Sequence, residues 1–239
     1  MSNLVGSETL TLTGNSTIAD ANVGTKTVNT GGFTLNDQAG ANASSGGLAS
    51  NYILSGGTHQ LVINQRPLNA TLARQYDGTT AAAGSTLSSF DALQGGETLT
   101  MTGSGTAASA NVANGIAMSS NGNLALADGT GAASNYSLNS TVINIAKRVL
   151  NSSGSKTYDA NTDALAADIT LSNLVSGEAL GHSGTATISS ANAGSYTITN
   201  LAGITIADGS GGAASNYTLT GGTHNFTVNR RVVLSLIHI

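Results

Sequence analysis

Three histidines come closest to forming a catalytic pattern in this chain. His59 and His224 each end a Gly-Gly-Thr-His segment, and His182 is followed by Ser183. A serine nucleophile of the Gly-x-Ser-x-Gly type sits on a strained turn between a strand and a helix, and His-Ser-Gly does not match that pattern. The segment 139–141, a third copy of the surroundings of His59, contains no histidine. We therefore predict no catalytic residue.

Metal and cofactor sites are equally poorly supported. Asp128 and Asp208 precede glycines in matching loops, but one carboxylate per loop falls short of the six to eight oxygen ligands that calcium takes. The chain has no cysteine, which excludes cysteine-ligated zinc, iron–sulfur clusters and disulfides. The segment 129–134 approaches a dinucleotide-binding fingerprint but lacks the helix that must follow it. We predict no metal and no cofactor.

Composition excludes two further classes. The 239 residues carry a net charge of −4, and only 8% of them are charged. Without a basic run, the chain lacks the electrostatic footprint of a nucleic-acid-binding protein. No apolar stretch is long enough for a membrane-spanning helix. A hydrophobic fraction of 39% with a single proline argues against a disordered chain.

Short motifs recur along the chain at a spacing of about 82 residues. The recurring residues belong to three motifs: Tyr76-Asp77-Gly78 and Tyr158-Asp159-Ala160; Asn51-Tyr52, Asn135-Tyr136 and Asn216-Tyr217; and Glu8, Glu97 and Glu178, each followed 14 residues later by Asn22, Asn111 or Asn192. Self-similarity at a fixed period indicates a repeat protein. We predict the end of one repeat at 1–65, complete repeats at 66–147 and 148–230, and the start of another repeat at 231–239.

Local patterning predicts strands throughout. The segments 9–13 and 98–102 alternate apolar and polar residues, which is the pattern of a half-buried strand. Gly, Asn, Asp and Ser clusters such as 208–212 separate these strands and supply turns. We expect an all-β chain of tandem small antiparallel β-sandwiches of the immunoglobulin type. A β-solenoid is the alternative, although 82 residues are too many for one coil.

The repeated residues suit structural roles. Tyr76 and Tyr158 can each bury the ring while the hydroxyl keeps a hydrogen bond. Asp77 and Asp159 can accept backbone N–H groups in a turn, and Gly78 can adopt a positive φ. The three tyrosines that follow an asparagine resemble the corner tyrosines of sandwich folds, whose hydroxyls bond to the backbone: Tyr52, Tyr136 and Tyr217.

The last six residues, 234–239, break the composition of the repeats, with four apolar side chains among them. They resemble a translated sequencing adapter, so we expect a non-native tail and leave His238 out of the fold argument. The alternative is a genuine strand of the next repeat.

In their order, the motifs resemble the YDG/MBG-type repeats of large bacterial surface proteins. The segments that carry this resemblance are Tyr-Asp-Gly-Thr-Thr-Ala-Ala at 76–82, Gly-Glu-x-Leu at 96–99, Ala-Asn-Val-Gly at 21–24 and Ser-Asn-Tyr-x-Leu at 50–54, 134–138 and 215–219. Such repeats occur in adhesins similar to filamentous haemagglutinin. The resemblance implies a secreted, β-rich stalk or adhesive array, and it brings no catalytic residue.

The expected function is therefore a structural or adhesive segment of an extracellular protein at the bacterial cell surface. The expected partners are neighbouring repeats of the same chain, together with a glycan or protein ligand that the sequence does not identify. An array of carbohydrate-binding modules is the alternative. It is disfavoured because such modules stack sugars on exposed aromatic rings, and the chain has no tryptophan.

Overall fold

The computed structural model describes residues 1, 3–38 and 47–235 and is all-β over those residues. They contain no α-helix, and the turns between strands include six single-turn 3-10 helices: Thr30–Gly32, Ala49–Asn51, Gly84–Thr86, Ala133–Asn135, Ala166–Asp168 and Ala214–Asn216. The strands are β1 (Leu10–Gly14), β2 (Gly24–Thr27), β3 (Phe33–Asp37), β4 (Gln60–Ile63), β5 (Arg66–Gln75), β6 (Ala81–Ala83), β7 (Leu87–Phe90), β8 (Leu99–Thr102), β9 (Ser104–Ala107), β10 (Ala113–Ser120), β11 (Ala125–Asp128), β12 (Tyr136–Ala146), β13 (Arg148–Val149), β14 (Asn151–Thr157), β15 (Asp163–Leu165), β16 (Ile169–Ser172), β17 (Leu180–Ile188), β18 (Gly194–Asn200), β19 (Ile204–Asp208), β20 (Tyr217–Thr218) and β21 (His224–Asn229).

The chain forms two compact units, and each unit combines segments that are distant in sequence. Unit 1 comprises 1–67, 96–99 and 128–137, and unit 2 comprises 68–95, 100–127 and 138–239. Each unit therefore contains residues from more than one of the predicted repeats. As a result, side chains from neighbouring repeats meet inside a unit.

Unit 1 contains two small antiparallel sheets. Strand β1 pairs with β3, with Leu12 opposite Leu35, and β2 pairs with β4, with Lys26 opposite Leu61. Leu10 on β1 is buried. The segments 96–99 and 128–137 complete the unit.

Unit 2 is dominated by two large sheets with similar strand orders. One has the order β6-β9-β10-β12-β5-β7, and the other has the order β15-β17-β18-β21-β14-β16, with β19 paired to β17. Two pairings differ from the antiparallel prediction. Strand β13 runs parallel to β20, with Arg148 opposite Tyr217, and β14 runs parallel to β21, with Ser152 opposite His224. In the repeat 148–230, strands from the start and from the end of the repeat thus lie side by side in the same direction. Alternation of apolar residues reports the faces of a strand and not its direction, so it could not reveal these pairings.

The core of unit 2 is mainly aliphatic. Along β5, Leu68, Ala70 and Leu72 are buried at every second position, which is the expected period of a strand with one face inward. One cluster of buried residues surrounds Leu72 and Ile143, and a second surrounds Ile188 and Phe226. Burial of each large aliphatic side chain contributes about 1.5–3 kcal/mol. Three aromatic side chains complete the core: Tyr76, Tyr217 and Phe226.

The C-terminal segment 230–235 contains no strand. Val232, Val233 and Leu234 are exposed. The remaining residues of the predicted non-native tail, 236–239 with His238, lie outside the described residues.

Candidate functional site

A carboxylate between two buried tyrosines is the most distinctive polar group in unit 2. The Tyr76 hydroxyl donates to Oε1 of Glu178 and the Tyr217 hydroxyl donates to Oε2, each over 2.6 Å. The two rings meet edge to face, with centroids 5.5 Å apart and an interplanar angle of 78°. Tyr76 belongs to one predicted repeat, and Glu178 and Tyr217 belong to the next. We call these three residues the Tyr–Glu–Tyr cluster.

Backbone contacts fix the positions of both tyrosines. Tyr76 follows the last residue of β5, and its backbone N–H donates to the carbonyl of Ala146 over 2.9 Å. The Tyr217 hydroxyl also accepts from the backbone N–H of Val175 over 3.1 Å. That contact agrees with the corner-tyrosine interpretation, whereas the bond to a glutamate does not follow from it. Contacts within the protein thus hold both tyrosines in place.

The electrostatics of the cluster keep both phenols protonated. Burial, followed by the hydrogen bond to Glu178, raises the pKa of Tyr217 to about 12. The same two causes raise the pKa of Tyr76. Both hydroxyls therefore remain donors at neutral pH, and the carboxylate is occupied by two protein groups. The cluster is suited to holding segments together.

The same tyrosine–glutamate pair recurs twice in unit 1. Tyr52 donates to Glu8 and Tyr136 donates to Glu97. The Tyr52 hydroxyl also accepts from the backbone N–H of Val5 over 3.1 Å. Each repeat therefore pairs its own glutamate with its own tyrosine. In the sequence, the glutamates served only as markers of the period. The constant separation of 39 residues between these glutamates and Tyr136 or Tyr217 could have indicated the pairing.

Asparagines form the second set of contacts between repeats. In unit 2, Asn216 accepts from the backbone N–H of Val112 and donates to Oδ1 of Asn111, each over 2.9 Å. Only 1% of the Asn216 surface is exposed. We call this pair of hydrogen bonds an asparagine bridge. It joins the Asn-Tyr motif of one repeat to the Asn-Val segment of the preceding repeat.

Unit 1 contains an equivalent asparagine bridge. Asn135 accepts from the backbone N–H of Val23 over 2.8 Å and donates to Oδ1 of Asn22 over 2.9 Å. The third member of the motif, Asn51, is exposed, and its side chain makes no hydrogen bond to a described residue. The sequence identified the motif asparagines but not their partners, because those partners lie more than 100 residues away.

The Tyr-Asp-Gly loop has the local structure that its residues predict. Oδ1 of Asp77 accepts from the backbone N–H and the hydroxyl of Thr79, each over 2.9 Å, and pairs with Arg74. Burial opposes ionisation of Asp77, but these hydrogen bonds and the nearby guanidinium lower its pKa on balance. Gly78 has a φ of +78°, and a Cβ added to it would lie 2.9 Å from Cγ1 of Val175. Both the conformation and this contact favour glycine at this position.

The second copy of this loop departs from the prediction. Asp159 accepts from the backbone N–H of Asn161 over 3.2 Å, and Nζ of Lys156 lies 2.9 Å from its carboxylate. The hydrogen bond from Lys156 is the main cause that lowers the pKa of Asp159. Tyr158, however, is 38% exposed, so the prediction of a buried ring is wrong for this residue. The physical reason is that no described residue places a glutamate and a second tyrosine around it. Ala160 keeps the positive φ of the motif glycine, at +65°.

Three of the other candidates, His224, Asp128 and Asp208, form hydrogen bonds within the fold. His224 is buried, with Nδ1 2.9 Å from Oγ of Ser152 and Nε2 2.8 Å from the Leu219 carbonyl. Asp128 and Asp208 accept backbone N–H groups of the turns that precede the motif tyrosines, each over 2.7 Å. Among the described residues, no three His, Asp or Glu side chains are placed to share a metal ion. The same residues include no helix of the length and hydropathy needed to cross a membrane.

Comparison with protein families gives a match that covers most of the chain. The family described as the YDG domain matches residues 64–143 and 146–224. Comparisons with curated proteins and with solved structures give no match. The two matched segments contain both copies of the Tyr-Asp-Gly/Ala loop and two of the three Asn-Tyr motifs. This chain therefore belongs to the YDG domain family.

Proposed function

We propose that this chain is a structural segment of a large secreted bacterial surface adhesin, in which tandem YDG repeats act as a stalk. The observation that carries this proposal is the bonding between successive repeats. Tyr76 reaches Glu178 of the next repeat, and Asn216 reaches back to Val112 of the preceding repeat. These motif residues thus join successive repeats.

The chemistry of these contacts suits a mechanical role. A hydrogen bond to a charged group contributes about 1.5–3 kcal/mol, and the Glu178 carboxylate accepts two of them in a partly buried site. The asparagine bridge adds two further hydrogen bonds to a side chain that is almost fully buried. Pulling successive repeats apart would expose these groups together. Such a junction resists extension better than a flexible linker does.

Two more specific parts of the proposal, the fold of each repeat and the location of the protein, come from the sequence. We propose that each repeat of about 82 residues is a small immunoglobulin-like sandwich and that the chain functions outside the cell. The all-β composition of the described residues and the two sheets of similar strand order support the first statement. The resemblance to repeats of surface adhesins and the absence of cysteine support the second.

Single-molecule force spectroscopy on the full chain tests the stalk function. We expect discrete unfolding peaks, with a length increment of about 28 nm for a repeat of about 82 residues, because an extended residue spans up to about 3.4 Å. Smooth extension without force peaks would contradict a load-bearing role. The same protein should bind no component of a glycan array. Selective binding of one glycan would favour a carbohydrate-binding function instead.

A further inference from the structure

The Tyr-Asp loop of the repeat 148–230 holds an amine against a side-chain carboxamide. Nζ of Lys156 donates to Oδ1 of Asn161 over 2.6 Å, and the lysine side chain is only 8% exposed. Because a C=O bond is about 1.2 Å long, Nζ lies within about 3.8 Å of Cγ of Asn161. Bond formation starts from a separation of about 3–3.5 Å. The two groups are thus held close to reaction distance.

The carboxylate of Asp159 lies between the two nitrogens that would exchange protons. Its Oδ1 is 2.9 Å from Nζ of Lys156, and its Oδ2 accepts from Nδ2 of Asn161 over 3.1 Å. The hydrogen bond from Lys156 lowers the pKa of Asp159, so the carboxylate is in the ionised form that accepts a proton. One side chain can therefore act as general base toward the amine and as general acid toward the leaving nitrogen.

A backbone donor is placed on the carboxamide oxygen. The N–H of Asp163 donates to Oδ1 of Asn161 over 3.0 Å. Attack on Cγ would put negative charge on this oxygen, and a fixed N–H donor stabilises such charge without reorganisation. The loop thus combines a nucleophile, an electrophilic carbon, a proton carrier and an oxyanion donor.

The equivalent loop of the repeat 66–147 keeps the turn and replaces both reacting groups. Arg74 stands at the position of Lys156, and Thr79 stands at the position of Asn161. Asp77 still pairs with Arg74 and accepts from Thr79. A guanidinium stays protonated in proteins, and threonine has no carboxamide. Arginine and threonine are therefore replacements that preserve the turn and remove the chemistry.

We propose that Lys156 and Asn161 form an intramolecular isopeptide bond, with Asp159 as the catalytic residue. Asp159 takes a proton from the Lys156 ammonium and delivers it to Nδ2. The lone pair of Nζ attacks Cγ, the Nζ–Cγ bond forms and the Cγ–Nδ2 bond breaks. Asp159 then takes a second proton from Nζ and passes it to the departing ammonia, which leaves as ammonium. The carboxylate is regenerated, and one ammonium ion is released for each bond formed.

The bond closes residues 156–161 into a covalent ring between β14 and β15. This ring would fix the loop through a bond that survives denaturation, in addition to its hydrogen bonds. The inference goes beyond the stalk function and does not depend on it. Its failure would leave the stalk function untouched.

Mass spectrometry of the intact full chain tests the proposal. We expect a mass below that of the sequence by one ammonia molecule. Trypsin should fail to cleave after Lys156, so that 149–156 and 157–230 stay joined in one peptide with the same deficit. Fragmentation of that peptide should give no separated backbone fragments between 156 and 161.

Lys156→Arg and Asn161→Thr are the matched controls, because the other repeat forms the same turn with these residues. Each should have the full mass of its sequence. The controls also identify ammonia lost by succinimide formation at Asn114-Gly115 or Asn121-Gly122, since that loss does not require Lys156. Asp159→Asn should slow bond formation by about 100-fold or more. A native-sequence chain with its full mass would overturn the proposal, and so would an equal deficit in Lys156→Arg.

Discussion

Replacing Tyr76 with phenylalanine isolates one hydrogen bond of the Tyr–Glu–Tyr cluster. The substitution keeps the buried ring and its edge-to-face contact with Tyr217, and it removes only the hydroxyl that donates to Glu178 over 2.6 Å. Because the acceptor is a carboxylate in a partly buried site, the loss should cost about 2 kcal/mol of the free energy of unfolding. Tyr158→Phe is the control, since the same chemical change occurs there on an exposed ring.

Urea denaturation followed by circular dichroism measures the effect. With a denaturant dependence of about 2 kcal/mol per molar urea, Tyr76→Phe should lower the midpoint of the affected transition by about 1 M. Tyr158→Phe should change the free energy of unfolding by less than about 0.5 kcal/mol, as is usual for surface substitutions. A Tyr76→Phe effect no larger than that of Tyr158→Phe would refute the assignment of the hydroxyl to a stabilising junction.

Three further predictions follow from the same contacts. Asn216→Ala should lower the free energy of unfolding by about 1–3 kcal/mol, because it leaves the buried N–H of Val112 without an acceptor; Asn51→Ala, at an exposed position, should have little effect, and urea denaturation compares the two. The pKa of Tyr217 is about 12 in the folded chain and near 10 when unfolded, so the folded state keeps the phenol protonated at pH values where the unfolded chain loses the proton. The free energy of unfolding that this provides below pH 10 should be lost between pH 10 and 12. That loss is about 3 kcal/mol at about 1.4 kcal/mol per pKa unit, and Tyr217→Phe should remove this part of the pH dependence in alkaline thermal melts. At low protein concentration, Ala160→Gly should stabilise the chain by about 1 kcal/mol by relieving a positive φ, and an unchanged melting temperature would contradict this.

Much of the fold could be predicted from the sequence because strands and turns depend on local patterns. Alternation marks the buried face of β5, and the clusters of glycine, asparagine and aspartate mark the turns. The direction of pairing between β14 and β21 could not be predicted, because it depends on residues 72 positions apart. Local periodicity carries no information on that contact.

The candidate site was predicted in part. The motif tyrosines and asparagines were identified by their repetition, and the aspartates by their turn chemistry. Their hydrogen-bond partners were not identified, because these lie far away in the sequence. Glu178 and Tyr76 are separated by 102 residues, and Asn216 and Val112 by 104. The prediction for Tyr158 was wrong because burial depends on what packs against a loop. Identical motif residues are buried at Tyr76 and exposed at Tyr158.

Amide hydrogen exchange at Val112 tests the junction most directly. Val112 donates to Asn216, and Ala193 holds the equivalent place in the other matched repeat, where no described side chain accepts its N–H. We predict that Val112 exchanges much more slowly than Ala193, and that Asn216→Ala abolishes this protection while Val23, which donates to Asn135, stays protected. Equal exchange at Val112 and Ala193 in the unmodified chain would contradict a junction built from the motif residues.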